Sequence, residues 1–329
     1  MRKILVTGAL GQIGVELVPE LRERHGADNV IASGWRRRDV GAVVDGGPFE
    51  IVDCTKPGDI AAVVETYEIG TIYHMPAFLS VLGEEKPEVA WALNLGGYAN
   101  ALEVARRHDC SVFFPSSIGA FGPGTPLQNT PQDTVQRPNT IYGVSKVAGE
   151  LLGDYYHTRF GLDTRGLRLP GLISHVALPG GGTTDYAVHI FYEALREGRF
   201  TCFLRSDSRL DMMYMPDAVA AILDLMDADP SRLRHRNAFN VTAMSFTPEE
   251  LAAEIRKHVP GFEIDYEVDP LKQAIADSWP DSMDDSAARE EWDWQPRYDL
   301  AAMTAEMIGT LRRKQGEGAL GREHDITGA

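Results

Sequence analysis

Four side chains in two stretches could together move a proton. Ser116 and Ser117 lie in Pro115-Ser116-Ser117-Ile118-Gly119-Ala120-Phe121-Gly122, and Tyr142 and Lys146 lie in Ile141-Tyr142-Gly143-Val144-Ser145-Lys146. Residues four apart on a helix share a face, so Tyr142 and Lys146 can point at one place. A phenol with its ordinary pKa of about 10 is a poor base at neutral pH. The Lys146 ammonium, and any further positive charge, would favour the phenolate. A tyrosinate so activated can take the proton of an alcohol that a serine hydroxyl holds in line.

That device needs a strand to end at the serines and a helix to begin at the tyrosine. Residues 112–115 read as a buried strand and the segment after Tyr142 as a helix. The helix carries a stripe of Val144, Val147, Leu151 and Tyr155, suited to packing on a sheet or on a partner subunit. Upstream, residues 3–7 form a further apolar strand, and Gly8, Gly11 and Gly14, with Gln12 and Ile13 among them, turn it into a helix with the stripe Ile13, Leu17, Val18 and Leu21. Strand, glycine turn, helix is the setting of a dinucleotide site: bare glycine backbone approaches a pyrophosphate, which rests on helix N–H groups. A nicotinamide cofactor there would accept hydride from the carbon whose hydroxyl Tyr142 deprotonates, and its oxidised ring is the further positive charge. Lys146 would also bond its ribose.

Further strands are expected at residues 30–33, 49–54, 71–75 and 163–173, the last broken at Leu169-Pro170-Gly171, with a long helix over about 87–108. Alternating strands and helices at this spacing predict an α/β fold, a doubly wound parallel sheet. Gly34 stands where an acidic residue would hold the ribose 2′-hydroxyl of NAD, and Arg36, Arg37 and Arg38 follow it. Either these arginines form a 2′-phosphate site, which admits NADP, or they are a solvated loop whose Arg36 stacks on adenine. Asp53 could accept from the adenine amino group or cap the following helix, or both. Asn94 could reach the site edge or be structural. His74-Met75-Pro76-Ala77 leads to a loop ending at Ser80 on the same sheet edge, and Pro76 there has no explanation in the sequence.

Beyond residue 174 the pattern changes. Gly180-Gly181-Gly182-Thr183-Thr184-Asp185 is a glycine-rich loop opening a helix, residues 209–217 form a strand entering another helix, and the tryptophan-rich run 279–294 is expected to pack a small cap. The implied division is a dinucleotide-binding domain over 1–174 with 210–242 returning to it. A substrate-binding lobe over 175–209 and 243–314 and a mobile tail over 315–329 complete the chain.

The chain has 329 residues and a net charge of −16, which argues against nucleic acid or an anionic membrane as partner. Cys54, Cys110 and Cys202 are its three cysteines, with no CxxC, so neither a disulfide framework nor a thiolate metal site is expected. The basic and apolar N-terminus imitates a signal peptide, but its glycine spacing fits a buried first strand, and a cytoplasmic protein is expected.

The motifs Thr7-Gly8-x-x-Gly11-x-x-Gly14, Ser116/Ser117 and Tyr142-x-x-x-Lys146 resemble the extended branch of the short-chain dehydrogenase/reductases. A narrower set covers both halves of the chain: 115–123, 134–138, Arg168-Leu169-Pro170-Gly171-Leu172-Ile173-Ser174, 179–187 and Met212-Met213-Tyr214-Met215-Pro216-Asp217. These look like the short-chain type of L-threonine 3-dehydrogenase. The resemblance implies oxidation of the threonine C3 alcohol by NAD without a metal, Tyr142 as base, Lys146 as its partner, and Ser116 or Ser117 as hydroxyl ligand. It also implies cofactor contacts at Gly8, Gly11, Gln12, Ile13, Gly14, Arg36, Asp53, Cys54 and Leu172. On the substrate side, Gly182, Thr183 and Thr184 would meet the carboxylate and Asp185 the ammonium, with Ser80 opposite, although Thr184 and Asp185 are equally explained as helix caps. A homodimer through the helices after Asn94 and Tyr142 is the implied assembly. Arg209 would clamp a diphosphate in a sugar-nucleotide epimerase or dehydratase, the first alternative. A non-catalytic dinucleotide-sensing protein is the second, although such proteins tend to lose the Tyr or the Lys.

Overall fold

The first strand is apolar throughout because both its faces are covered: Ile4 and Val6 enter one buried cluster and Leu5 another. The computed structural model describes residues 2–38, 40–178 and 180–317. Its strands in chain order are β1 (Lys3–Thr7), β2 (Val30–Gly34), β3 (Phe49–Ile51), β4 (Ile69–His74), β5 (Ser111–Ser117), β6 (Thr164–Leu169), β7 (Gly171–Ile173), β8 (Arg199–Cys202), β9 (Leu210–Tyr214), β10 (Phe239–Asn240), β11 (Met244–Phe246) and β12 (Glu263–Tyr266). Seven of them form one sheet in the order β10-β6-β5-β4-β1-β2-β3. Every pairing in that sheet is parallel. The expected doubly wound α/β sheet is therefore the observed one.

The helices Gly14–His25 and Met215–Asp227 cover one face of the sheet, and Pro57–Tyr67 and Gly97–His108 the other. Strand order reverses between β1 and β4, so the crevice beyond their carboxyl ends is where a ligand settles in this topology. Thr7 and His74, in register across that gap, mark its floor.

The third and fourth strands differ from expectation at their ends, stopping at Ile51 and His74 rather than Cys54 and Met75. The break at Pro170 is larger in effect than the sequence suggested. A proline cannot donate to a ladder, and β7 beyond it leaves the main sheet for a second one of order β11-β9-β7. A third buried cluster joins that sheet to the helices Tyr186–Arg196, Pro248–Arg256 and Leu300–Gly316.

One expectation about packing is corrected, and another is narrowed to one of its two alternatives. Of the tryptophan-rich run, Trp279 lies in the C-terminal cluster, but Trp292 and Trp294 pack into the main-sheet cluster, Trp292 edge-on to Phe239 of β10 at 5.9 Å. The stripe Val144, Leu151 and Tyr155 does not face the sheet: Leu151 is 62% exposed and Tyr155 54%. The buried face of that helix, Ile141–Phe160, is Gly143, Ser145, Lys146, Gly149, Glu150 and Gly153. Of the tail expected from 315, Gln315 and Gly316 close the last helix, and 318–329 lie outside the described residues. Among the described residues, no helix is long and apolar enough to cross a membrane.

Candidate active site

Two glycines bring the serine turn onto the tyrosine helix. Thr140 caps that helix, its hydroxyl accepting from the Gly143 N–H at 3.1 Å. A Cβ on Gly143 would fall 2.1 Å from the Gly119 carbonyl oxygen, and one on Gly119 would fall 3.0 Å from the Tyr142 ring. Only bare backbone permits this approach. The Ser117 hydroxyl accepts from the Gly119 N–H at 3.1 Å, which folds the turn Ile118–Ala120 back over the strand end.

Successive strand residues face opposite ways, and this separates the two serines. The Ser117 hydroxyl is on the Tyr142 side, both flanking the bare face of Gly119, and it favours the phenolate. The Ser116 hydroxyl is buried and donates to Glu150 Oε1 instead, so Ser116 is removed from the position expected of a substrate ligand. Lys146 is fully enclosed: its Nζ donates to the Pro115 carbonyl at 2.5 Å and lies 5.3 Å from the centre of the Tyr142 ring. Burial raises the Tyr142 pKa, and the Ser117 hydroxyl pulls it back. Burial also drags Lys146 down to about 7, partly countered by Glu150. The protein alone therefore does not supply the depressed phenol pKa that the spacing suggested.

Asn94 sits where the helical segment from Pro87 widens into a π turn, Ala92–Gly96. Its amide holds both the Phe78 N–H (2.7 Å) and the Phe78 carbonyl (3.1 Å), and it reaches Ser145 Oγ at 3.2 Å. Ser145 in turn donates to the Tyr142 carbonyl. Asn94 thus ties the loop before Ser80 to the tyrosine helix, and a wide turn is a common device at functional sites. Ser80 is buried at the start of the helix Ser80–Glu85.

On the cofactor side, Gly8 has φ +66° and its missing Cβ would lie 2.7 Å from the Pro76 nitrogen. That approach requires glycine at position 8; Pro76 itself has no structural explanation. A Cβ on Gly14 would fall 2.6 Å from the Ala9 carbonyl oxygen. The helix Gly14–His25 begins at Ile13 with no side-chain cap, and its acidic first-turn residue, Glu16, bonds Ser174 instead. The Gly11 N–H is taken by the Gly8 carbonyl at 3.1 Å, and no side chain caps the helix start at Ile13, which suits a pyrophosphate there. The residues present fit a dinucleotide. Leu172 is half-buried in β7 beside Met213. Cys54 is buried, with its thiol pushed up to about 12 by desolvation. Asp53 accepts from Thr55 and pairs with Lys56 at 3.0 Å, which holds its carboxyl below the usual range. The Arg36 guanidinium stacks on exposed Trp35 at 4.4 Å.

On the substrate side, Thr183 is wholly buried and its hydroxyl has no partner. A buried unpaired hydroxyl carries a desolvation cost that a ligand can relieve. Asp185 does not cap its helix with its side chain. Its carboxylate turns back to accept the Gly181 and Gly182 N–H groups at 2.8 and 2.5 Å. Burial raises its pKa to about 6, against the two glycine N–H groups and Lys272. Thr184 is half-buried and packs toward Gly171. Arg209 is occupied by the Ser245 carbonyl and by Glu250.

The sequence reading missed Glu150, which lies one turn beyond Lys146 on the same face; continuing the i, i+4 series from Tyr142 would have found it. It also missed buried His74, whose Nδ1 meets Thr7 Oγ1 at 3.1 Å.

Residues 4–242 match the model of the NAD dependent epimerase/dehydratase family. The chain belongs to that family. It is 55% identical over 315 residues to an uncharacterised epimerase/dehydratase of Staphylococcus haemolyticus, covering 96% of this chain and 99% of that one. Among solved structures, it is similar to L-threonine dehydrogenase from Clostridium difficile, with TM-score 0.94 and 53% identity over 98% of this chain and 99% of the other. The holo form of a GalE-like L-threonine dehydrogenase from Cupriavidus necator matches with TM-score 0.91 and 50% identity, over 94% and 99%.

Proposed function

We propose that this family member oxidises the C3 alcohol of L-threonine to 2-amino-3-oxobutyrate in the cytosol, with NAD+ as oxidant. The observation that carries the reading is a chain half identical, over nearly its whole length, to solved threonine dehydrogenases. Tyr142 and buried Lys146 on one helix face, and the polar loop Gly180 to Asp185 with its buried unpartnered Thr183 hydroxyl, support it. Gly8, Gly11, Gln12, Ile13, Gly14, Arg36, Asp53, Cys54 and Leu172 would hold a nicotinamide dinucleotide, which when bound would supply the hydride acceptor and a positive ring that favours the phenolate. Tyr142 then takes the hydroxyl proton as the C3–H bond gives up its electron pair and the carbonyl forms. Ser117 holds the alcohol oxygen. Lys146 keeps the phenolate favourable and binds ribose. Thr183, Thr184 and the amide of Gly182 receive the substrate carboxylate, Asp185 receives its ammonium, and Ser80 closes the far side. The outward stripe of Val144, Leu151 and Tyr155 is the proposed homodimer face, measurable by sedimentation.

The family's breadth and the description of the staphylococcal relative favour a second reading, a sugar-nucleotide epimerase or dehydratase. Against it, Arg209, the candidate diphosphate clamp, is already bonded within the protein. NADH formation with L-threonine, compared with UDP-glucose and UDP-galactose, separates the two. No absorbance rise with threonine under either NAD or NADP sinks the threonine reading. Tyr142→Phe is expected to lower kcat by at least about 100-fold while leaving cofactor affinity near wild type; normal turnover would refute the proton transfer.

A further inference from the structure

Directly beneath the serine, tyrosine and lysine lies a buried ion pair that the mechanism has not used. Glu150 is 3% exposed and Arg168, from β6, is 6% exposed. The Arg168 Nη2 and Nε donate to Glu150 Oε2 at 2.9 and 3.2 Å, and Nε also reaches Oε1 at 3.1 Å. Gln136 donates to the same carboxylate at 2.9 Å and Ser116 completes its shell. Arg168 is itself anchored to the Gln132 carbonyl and Asn240 Oδ1. Buried pairs of this kind add little net stability compared with apolar packing, so a role in fixing charge or position is worth seeking.

The groups facing Lys146 decide what that role is. From β4 comes His74, neutral because burial pushes its pKa down to about 3. From β5 come the Pro115 carbonyl and the Phe114 ring, 4.8 Å from Nζ. On its own helix, Tyr142 lies one turn before it and Glu150 one turn after. Arg168 stands beyond Glu150, clamped to its carboxylate. Among these groups Glu150 carries the negative charge that favours the Lys146 ammonium, against burial that opposes it.

We propose that Glu150 is a positioning residue for the reaction: its carboxylate, fixed by Arg168, Ser116 and Gln136, keeps Lys146 charged, and through Lys146 makes the Tyr142 phenolate accessible. The inference rests on reading Tyr142 as the base, not on threonine being the substrate. A purely structural brace would hold the helix to β5 and β6 without altering any titration.

Glu150→Gln keeps the shape and removes the charge, but strands Arg168, which destabilises a buried pair. Glu150→Gln/Arg168→Met removes both charges and keeps the test alive if the single variant does not fold. Two readouts apply: the pH profile of kcat/KM, and tyrosinate absorbance against pH, with the Tyr142→Phe spectrum subtracted. In both variants the Tyr142 titration and the acid limb should move alkaline by on the order of one pH unit, a roughly tenfold loss of kcat/KM on that limb. Profiles that coincide with wild type in the double variant overturn the proposal. So does a shift in the single variant alone, which would trace to the stranded Arg168. If threonine is not turned over, the tyrosinate titration still decides the matter.

Discussion

Gly149→Ala tests whether the seat of the tyrosine helix fixes the chemistry. A Cβ at this position would lie 2.6 and 2.7 Å from two carbons of the Phe114 ring. Carbon atoms rest at about 3.5–4.0 Å, so roughly 1 Å must be found. Phe114 cannot yield it cheaply, because its ring is stacked on Tyr98 at 4.1 Å and Lys146 Nζ lies 4.8 Å from its centre. The helix has to lift, and it carries Tyr142 and Lys146 with it. Overpacking costs about 1–3 kcal/mol, and alanine in place of glycine in a helix returns about 1. The net loss is therefore about 0–2 kcal/mol, a fall in Tm of a few degrees at most. Activity should suffer far more, since a misplacement of about 1 Å costs on the order of 100-fold. The expected signature is a large drop in kcat with a small drop in Tm, read by steady-state kinetics and thermal unfolding side by side. Gly58→Ala is the control: it is exposed, in the helix Pro57–Tyr67, with nothing within 4 Å of the new Cβ. It should raise stability by up to about 1 kcal/mol and leave kcat alone. Wild-type kcat in Gly149→Ala would refute the argument that this close packing sets the geometry of the base.

Gly34→Asp should lower the NADP-to-NAD ratio of kcat/KM by on the order of tenfold, as a carboxylate there repels a 2′-phosphate. The new Cβ would sit 3.2 Å from Leu10 Cδ1, so that side chain must give by a few tenths of an ångström; an unchanged ratio would show that Arg36 to Arg38 are a solvated loop. Asp185, with its pKa raised from 3.8 to about 6, must ionise to hold an ammonium, so KM for threonine should fall as pH rises through about 6. The folded state keeps this proton longer than the unfolded chain, so its ionisation lowers stability as pH rises from 3.8 to about 6, and substrate should protect against unfolding most above that window. A KM that ignores pH across that range, or an Asp185→Asn variant with the same profile as wild type, would remove Asp185 from the ammonium site.

Local pattern alone determined much of this protein. The glycine turn after an unbroken apolar strand and the alternation of strands and helices depend on neighbours within a few residues and specified the fold without the tertiary structure; the Tyr142–Lys146 spacing placed both residues on one helix face in the same way. What the sequence left open depends on which groups approach from a distance. Ser116 and Ser117 differ in which side of β5 they face, and the packing of the tyrosine helix puts Glu150 against one and the Tyr142 ring on the side of the other. The apolar stripe on Ile141–Phe160 suited either the sheet or a partner subunit, and the fold decides against the sheet because the opposite face is the buried one: there Gly143, Gly149 and Gly153 let the helix approach so closely that bulk would not fit. Gly8 is required by the backbone of residue 76 lying against it, a contact from a distant strand end. The pKa values of Tyr142, Lys146 and Asp185 belong to the same class. Spacing names the partners, but burial, which only the assembled fold creates, sets the larger part of each shift.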